Sequence, residues 1–207
     1  MDGVLVDSEE IICEAAIQMF AEHNLVVQPS DFLEYVGSGE NRYLGGVAEK
    51  YGFAFDLERD KARAYAIYDQ KVVGRLKPLP GVIDFIALCK RKGIKIAVAT
   101  SADEVKMHIN LREMGIPAST FDATVSGSEV INKKPDPEIF CLAAAKLGLL
   151  TSECLVVEDA INGVKAANAA GCSCLALTTS FPPELLTEAQ WITTNLSAVP
   201  QEIISQL

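Results

Sequence analysis

The sequence is short of basic residues, and this shortage limits the partners that it can bind. It holds 18 Lys and Arg against 28 Asp and Glu, which gives a formal net charge of −10. An acidic chain without a basic stripe is a poor match for nucleic acid or for an anionic membrane surface. We therefore predict no nucleic-acid partner and no membrane partner. A phosphorylated ligand would need local cations, a metal or helix N-termini to offset the negative field.

The sequence also has no apolar run long enough to cross a bilayer, which takes about 20 residues in a helix. Its first residues carry neither the basic region nor the apolar core of a signal peptide. Apolar residues nevertheless make up 49% of the 207 residues, enough for a sizeable buried core. These features predict a folded cytoplasmic monomer, built as one large domain or as a domain with a smaller insert.

Cysteines at metal-binding or disulfide spacing are missing too. The six cysteines match neither a zinc site nor a disulfide framework. We expect them to be small buried apolar residues in a reducing cytosol. They are Cys13, Cys89, Cys141, Cys154, Cys172 and Cys174.

Two regions with different periodicity meet at residues 76–81, where two prolines and a glycine stiffen the chain. Residues 8–74 carry apolar side chains at helical spacing, which predicts a helical segment. Residues 82–177 alternate between helix and strand patterns, which predicts an α/β fold with a doubly wound parallel sheet. The predicted strands are 94–99, 121–126, 154–157 and 172–177, and the predicted helices are 82–92, 103–114, 137–146 and 161–170.

Polar residues follow the predicted strands, at the edge where parallel α/β sheets bind their ligands. Thr100 and Ser101 follow the first strand, and Ser101 with Glu104 fits a capping box. A hydroxyl beside a helix N-terminus can hold a phosphate, although an ordinary helix cap explains the same residues. Lys134, just before Pro135, could neutralise a phosphoryl group at this edge or lie solvated on the surface.

Glu158 and Asp159 end the third predicted strand. Two carboxylates there are costly to bury unless they are satisfied, and a hard cation such as Mg²⁺ would satisfy them. The alternative is one helix cap and one exposed acid.

Asp2 and Gly3, at the start of the sequence, look like the end of a strand, although no strand precedes them here. Gly3 permits a turn, and Asp7 with Glu10 is expected to form a capping box at a helix start. The sequence thus supplies a hydroxyl, a cation, a pair of acids and a further acid at successive strand ends of one sheet. That set is suited to phosphoryl transfer.

Residues 1–8 (Met-Asp-Gly-Val-Leu-Val-Asp-Ser), Thr100, Lys134 and the Glu158–Asp159 pair resemble the four motifs of the haloacid dehalogenase superfamily. The resemblance is to its β-phosphoglucomutase-like branch and covers essentially the whole chain. It implies a Rossmann-like core of residues 1–8 and 77–207, with an inserted α-helical cap of residues 9–76.

The resemblance also implies catalytic and metal-binding roles. Asp2 is the general acid and base, and its backbone carbonyl binds Mg²⁺. Thr100 and Lys134 hold the transferring phosphoryl group. Glu158 and Asp159 bind Mg²⁺ directly or through water.

The nucleophile of this family is an aspartate that forms an aspartyl-phosphate and ends a strand in the middle of the sheet. By the resemblance, it would lie immediately before Met1. We expect the strand and its aspartate to precede Met1 in the natural protein. A genuine truncation, inert in catalysis, and a strand supplied by another chain are the alternatives.

The substrate-binding residues implied by the resemblance are Gly37, Glu40 and Arg42 in the cap, with Ser101 and Asn162 in the core. Mutases of this branch hold a distal phosphate with an arginine at the place where this chain has Glu40. A carboxylate there would repel a second phosphate, although it also suits a helix N-terminus.

The acid at Asp2 favours phosphate esters over haloacids, because an alkoxide leaving group needs a proton and a halide does not. The sequence therefore predicts a Mg²⁺-dependent phosphatase of a small phosphorylated metabolite, such as a sugar phosphate. A β-phosphoglucomutase-type mutase and a catalytically inert domain are the alternatives.

Overall fold

The computed structural model describes residues 1–36 and 39–206, and its first helices lie in the segment predicted to be helical. These helices are α1 (Glu9–Glu22), α2 (Glu40–Lys50) and α3 (Leu57–Lys71). Residues 9–76 are named the cap segment below. Helix α1 packs against α3, because Ala15, Ala16, Met19 and Phe20 form a fully buried face. The division into a cap and a two-part core stays a prediction, as do the monomeric state and the cytoplasmic location.

Helices and strands then alternate along the chain, as the sequence predicts. They are α4 (Val82–Arg91), β1 (Ala97–Ala99), α5 (Glu104–Glu113), β2 (Ala123–Val125), α6 (Glu138–Leu147), β3 (Leu155–Glu158), α7 (Ile161–Ala170), β4 (Ser173–Leu177), β5 (Trp191–Thr193) and α8 (Gln201–Gln206). Within the described ranges, no helix is both long enough and apolar enough to cross a membrane.

All strand pairs are parallel, but the strands form two sheets where the sequence predicts one. Strand β1 pairs with β2, and β4 lies between β3 and β5. In the part of the chain that the structure describes, no strand pairs with the other edge of β1 or of β3. The predicted α/β fold with parallel strands and alternating helices is confirmed, and the division into two sheets is the one difference. The strand that the resemblance places in the middle of the sheet is not among the described residues.

A cavity of about 290 Å³ lies between the free edges of β1 and β3. Its lining includes Val98 and Ala99 of β1, Val156 and Val157 of β3, and Met1 at the start of the chain. The cavity is thus bordered by apolar side chains and by backbone groups that lack a ladder partner.

The start of α1 corrects one prediction. Helix α1 begins after Ser8, whose side chain does not cap the helix but donates a hydrogen bond to the Asp2 carboxylate. The predicted capping box of Asp7 and Glu10 therefore does not form. The first residues of the chain are instead joined to the helix through Asp2.

The six cysteines are free thiols, as expected. Cys89, Cys172 and Cys174 are buried, whereas Cys141 is exposed and the other two are half-buried. The expectation that all six are buried apolar residues is therefore wrong for Cys141, which lies on the solvent side of α6.

Candidate active site

The carboxylate of Asp2 is enclosed by polar side chains. Ser8 Oγ donates to Oδ1, Asn110 Nδ2 lies 3.3 Å from the same oxygen, and Lys106 Nζ lies 3.5 Å from Oδ2. Burial raises the pKa of Asp2, but it lies below its usual value, chiefly because of the Lys106 charge and with a further contribution from the Ser8 hydrogen bond. The carboxylate is therefore held in the ionised form, which can accept a proton.

Lys134 and Glu158 form a buried ion pair at the end of β3. The other carboxylate oxygen of Glu158 accepts hydrogen bonds from the backbone N–H groups of Asp159 (3.0 Å) and Ala160 (3.2 Å). Burial raises the pKa of Glu158, but the Lys134 charge is the main effect that holds it below its usual value. The Lys134 side chain is 11% exposed, so the alternative of a solvated surface lysine is wrong.

Asp159 packs directly against the turn at Gly3. A Cβ on Gly3 would lie 1.8 Å from Asp159 Oδ2, and Gly3 has a φ of +68°, so both space and conformation require glycine. Ser180 Oγ donates to the same oxygen (2.5 Å). Burial and the charge of Glu158 raise the pKa of Asp159 to about 6. Because both acids are buried, the alternative with one exposed acid is wrong.

Thr100 follows β1 directly and is buried. Its hydroxyl oxygen accepts a hydrogen bond from the backbone N–H two residues later (3.2 Å), which shapes the loop after the strand. Ser101 does not cap α5, because Asp103 occupies the capping position, so the predicted capping box with Glu104 is wrong. A Cβ on Gly39 would lie 3.6 Å from the Ser101 carbonyl oxygen, which places this loop against the cap segment.

The predicted substrate-binding residues of the cap and of α7 lie in different environments. Glu40 is 6% exposed at the start of α2. Arg42 is 52% exposed and binds Glu49 (2.8 Å), so it is not brought to the other site residues. Asn162 faces solvent in the first turn of α7, and Gly37 lies outside the described residues.

Lys106 and Asn110 of α5 contact Asp2 and are absent from the sequence-based candidates. They are 3% and 0% exposed, and their spacing of four residues puts them on one side of the helix. The available signal is that they stand beside the buried Met107 and Leu111, on the side of the predicted helix that should be apolar.

Glu158 and Asp159 offer oxygen donor atoms, which suit a hard divalent cation. Carboxylate and carbonyl oxygens are the ligands of Mg²⁺, and burial and the charge of Glu158 raise the pKa of Asp159, so a cation bound here would offset the cost of holding both acids ionised. Glu158, Asp159 and the Asp2 backbone carbonyl would be the protein ligands. No three His, Cys, Asp or Glu side chains of residues 1–36 and 39–206 could hold a metal by themselves, so water or phosphoryl oxygens would complete the set.

Comparisons with known proteins show the family of the chain. A model of the haloacid dehalogenase-like hydrolases matches residues 1–171. The chain is 43% identical over 195 residues to Protein SUPPRESSOR OF QUENCHING 1, chloroplastic, of Arabidopsis thaliana, which covers 91% of this chain and 18% of that protein. It therefore spans less than a fifth of that relative.

A second relative is matched over most of its length. It is the phosphorylated carbohydrates phosphatase of Thermotoga maritima, 32% identical over 171 residues, with 83% of this chain and 79% of that protein covered. The crystal structure of a putative beta-phosphoglucomutase from Thermotoga maritima superimposes with a TM-score of 0.77 at 28% identity, covering 100% of this chain and 96% of the other. The chain belongs to the haloacid dehalogenase-like hydrolase family.

Proposed function

We propose that this chain is the catalytic domain of a Mg²⁺-dependent phosphatase that hydrolyses small phosphate monoesters, in particular phosphorylated carbohydrates. The observation that carries the proposal is the meeting of Asp2, Lys134, Glu158 and Asp159 at one edge of the parallel strands. Together they offer a group that exchanges a proton, a cation for the phosphoryl group and ligands for a hard metal ion.

The nucleophile in this proposal is an aspartate immediately before Met1, at the end of a strand that fills the cavity between β1 and β3. Met1 is buried and lines this cavity, so a residue attached before it would lie inside the fold beside β1 and β3. A parallel strand would give ladder partners to both free edges and apolar side chains to the cavity. A small ligand would leave most of those backbone groups unpaired, which favours a strand.

The proposed reaction has two steps. The aspartate attacks phosphorus, the bond from phosphorus to the leaving oxygen breaks, and protonated Asp2 gives its proton to that oxygen. Ionised Asp2 then takes a proton from the water that attacks the aspartyl-phosphate, which releases inorganic phosphate. A phosphate dianion beside Asp2 raises the pKa of that carboxyl, because like charges disfavour ionisation, and this supplies the protonated form for the first step.

The remaining groups would act on the charge of the transferring phosphoryl group. Lys134 would neutralise its oxygens, and the loop shaped by Thr100 would hold them through backbone N–H groups. Bound Mg²⁺ would add charge neutralisation at the same oxygens.

Glu40 favours hydrolysis over a mutase reaction. A mutase has to hold a second phosphate, which a buried carboxylate would repel. Glu40 Oε2 is buried and has no hydrogen-bond partner among the described residues, so it can accept a hydrogen bond from a substrate hydroxyl. Sugar and polyol monophosphates carry such hydroxyls, in keeping with the substrate class named for the Thermotoga maritima phosphatase.

The test uses the chain extended upstream of Met1 by the residues encoded in frame. Release of inorganic phosphate is measured from a panel of sugar phosphates and from p-nitrophenyl phosphate, with and without Mg²⁺. We expect Mg²⁺-dependent turnover that Asp159→Asn abolishes and that Glu184→Gln, at an exposed acid, preserves. Turnover no higher than that of Asp159→Asn across the panel would overturn the proposal, and isomerised product without phosphate release would favour the mutase.

A further inference from the structure

Helix α5 carries two buried polar residues, Lys106 and Asn110, one turn apart on one face. Burying a lysine and an amide is costly unless each is paired, so their partners explain why the fold retains them. Each residue has one partner in the first turn of the chain and another in the cap segment.

The partner that they share is Asp2. The Asn110 amide nitrogen lies 3.3 Å from Asp2 Oδ1 and 3.4 Å from Ser8 Oγ. The Lys106 ammonium lies 3.5 Å from Asp2 Oδ2. The two oxygens of one carboxylate are thus held from one face of α5.

The cap partners come from two different helices. Tyr68 of α3 donates its hydroxyl hydrogen bond to Asn110 Oδ1 (2.5 Å). Glu40 of α2 brings Oε1 within 3.4 Å of the Lys106 ammonium. Lys106 and Asn110 therefore each contact Asp2 on one side and a residue of the cap segment on the other.

We propose that Lys106 and Asn110 are positioning residues that couple the cap segment to Asp2: the cap, through Glu40 and Tyr68, fixes both residues, and they fix the orientation of the carboxylate that exchanges the proton. This inference rests on the proposed phosphatase function. Its consequence is that contacts made by the cap control proton transfer as well as substrate binding.

The coupling has a signature that simple loss of stability does not have. Departure of an alkoxide needs the proton of Asp2, whereas nitrophenolate leaves without one. The ratio kcat/KM reports the steps up to the first irreversible one, so it includes departure of the leaving group and excludes hydrolysis of the aspartyl-phosphate. A displaced Asp2 therefore lowers kcat/KM for an alkyl phosphate and spares that for p-nitrophenyl phosphate.

The test compares Tyr68→Phe with Tyr65→Phe in the chain extended upstream of Met1. Both tyrosines are buried on α3, but the Tyr65 hydroxyl has no hydrogen-bond partner in the part of the chain described. We expect Tyr68→Phe to lower kcat/KM for a sugar phosphate about tenfold, with less than about a twofold change for p-nitrophenyl phosphate. Asp2→Asn removes the proposed acid altogether and gives the upper limit of the effect. It should lower kcat/KM for the sugar phosphate by roughly a hundredfold or more relative to that for p-nitrophenyl phosphate.

A second pair of variants keeps the inference open to refutation if Tyr68→Phe is poorly folded. Lys106→Met and Glu40→Gln should each lower kcat/KM for the sugar phosphate more than kcat/KM for p-nitrophenyl phosphate. Because both variants remove the same ion pair, the fold-loss in the double variant should be smaller than the product of the two single fold-losses. Lys106→Arg should recover part of the activity toward the sugar phosphate.

Equal losses on both substrates, or losses in Tyr68→Phe no different from those in Tyr65→Phe, would overturn the inference and leave the phosphatase proposal standing. A parent chain that turns over neither substrate would overturn both.

Discussion

Gly3 and Asp159 are in direct contact, so that a Cβ on Gly3 would lie 1.8 Å from Asp159 Oδ2. This approach joins the turn that carries Asp2 to the end of β3. The proposed acid and base and the proposed metal ligands are therefore placed relative to each other by one residue without a side chain.

Gly3→Ala should destabilise the protein more than Gly93→Ala does. Both glycines have a positive φ, +68° and +71°, so alanine at either costs about 1–2 kcal/mol in backbone strain. Gly93 has open space around it, whereas Gly3→Ala must also displace the Asp159 carboxylate. Denaturant unfolding of the two variants measures the difference, and equal losses of unfolding free energy would contradict the contact.

Asp159→Asn should remove the stabilisation that Mg²⁺ gives to the folded chain. A ligand at about 100 times its Kd adds roughly 2.7 kcal/mol, which raises Tm by roughly 5–10 °C in a protein of this size. We expect this increment in the parent and in the exposed control Glu184→Gln, measured by thermal unfolding with Mg²⁺ against a metal-free buffer. An unchanged increment in Asp159→Asn would remove Asp159 from the metal site.

Asp31 should make the cap segment sensitive to acid. Its carboxylate accepts hydrogen bonds from Lys50 Nζ (2.6 Å), Tyr51 Oη (2.6 Å) and the Gln28 backbone N–H (2.8 Å), which lower its pKa from 3.8 to about 2. Because the folded-state pKa is the lower one, the stabilisation is complete above about pH 4 and is lost as the pH falls through about 2.

Asp31→Asn should therefore be less stable than the parent at pH 7, and the difference should shrink as the pH falls from 4 toward 2. Unfolding curves collected across this range provide the measurement. A difference that stays constant with pH would show that the charge of Asp31 is not what stabilises this part of the cap segment.

Glu40→Gln should relax the discrimination against substrates with two phosphates. Removing the buried negative charge should raise kcat/KM for a sugar bisphosphate relative to the monophosphate by about tenfold, equal to about 1.4 kcal/mol. The ratio is used because any loss through Lys106 affects both substrates alike. The control is Glu34→Gln, at an exposed acid of the cap segment. An unchanged ratio would separate Glu40 from substrate selection.

Local periodicity predicted most of the elements, because apolar spacing reports which face of a helix or strand is buried. Helix α7 begins and ends at the predicted residues, and α5, α6 and β4 differ from prediction by one residue at one or both ends. Strand β5 and helix α8 were not predicted. Strand β5 has three half-buried residues and α8 has six residues, too few to establish a period.

The sequence could predict only those site residues whose position follows from the strand topology alone. Glu158 ends β3 and Asp159 follows it, and parallel strands bring their carboxyl ends to one edge. Lys106 was not found, because its role depends on which side of α5 faces Asp2, a tertiary contact that no spacing encodes. The sequence also predicted Arg42 to be a substrate-binding residue. That prediction could not take account of Glu49, which binds Arg42 on the surface.

The most direct test of the proposed phosphatase is to find the phosphorylated residue. The extended chain is mixed with a sugar phosphate and Mg²⁺, quenched in acid within one turnover, and analysed by intact-mass and peptide mass spectrometry. We predict a transient gain of one phosphoryl group on the aspartate immediately before Met1, with accumulation in Asp2→Asn when the activated p-nitrophenyl ester is used. Phosphate release without any protein adduct, or an adduct on another residue, would contradict the account.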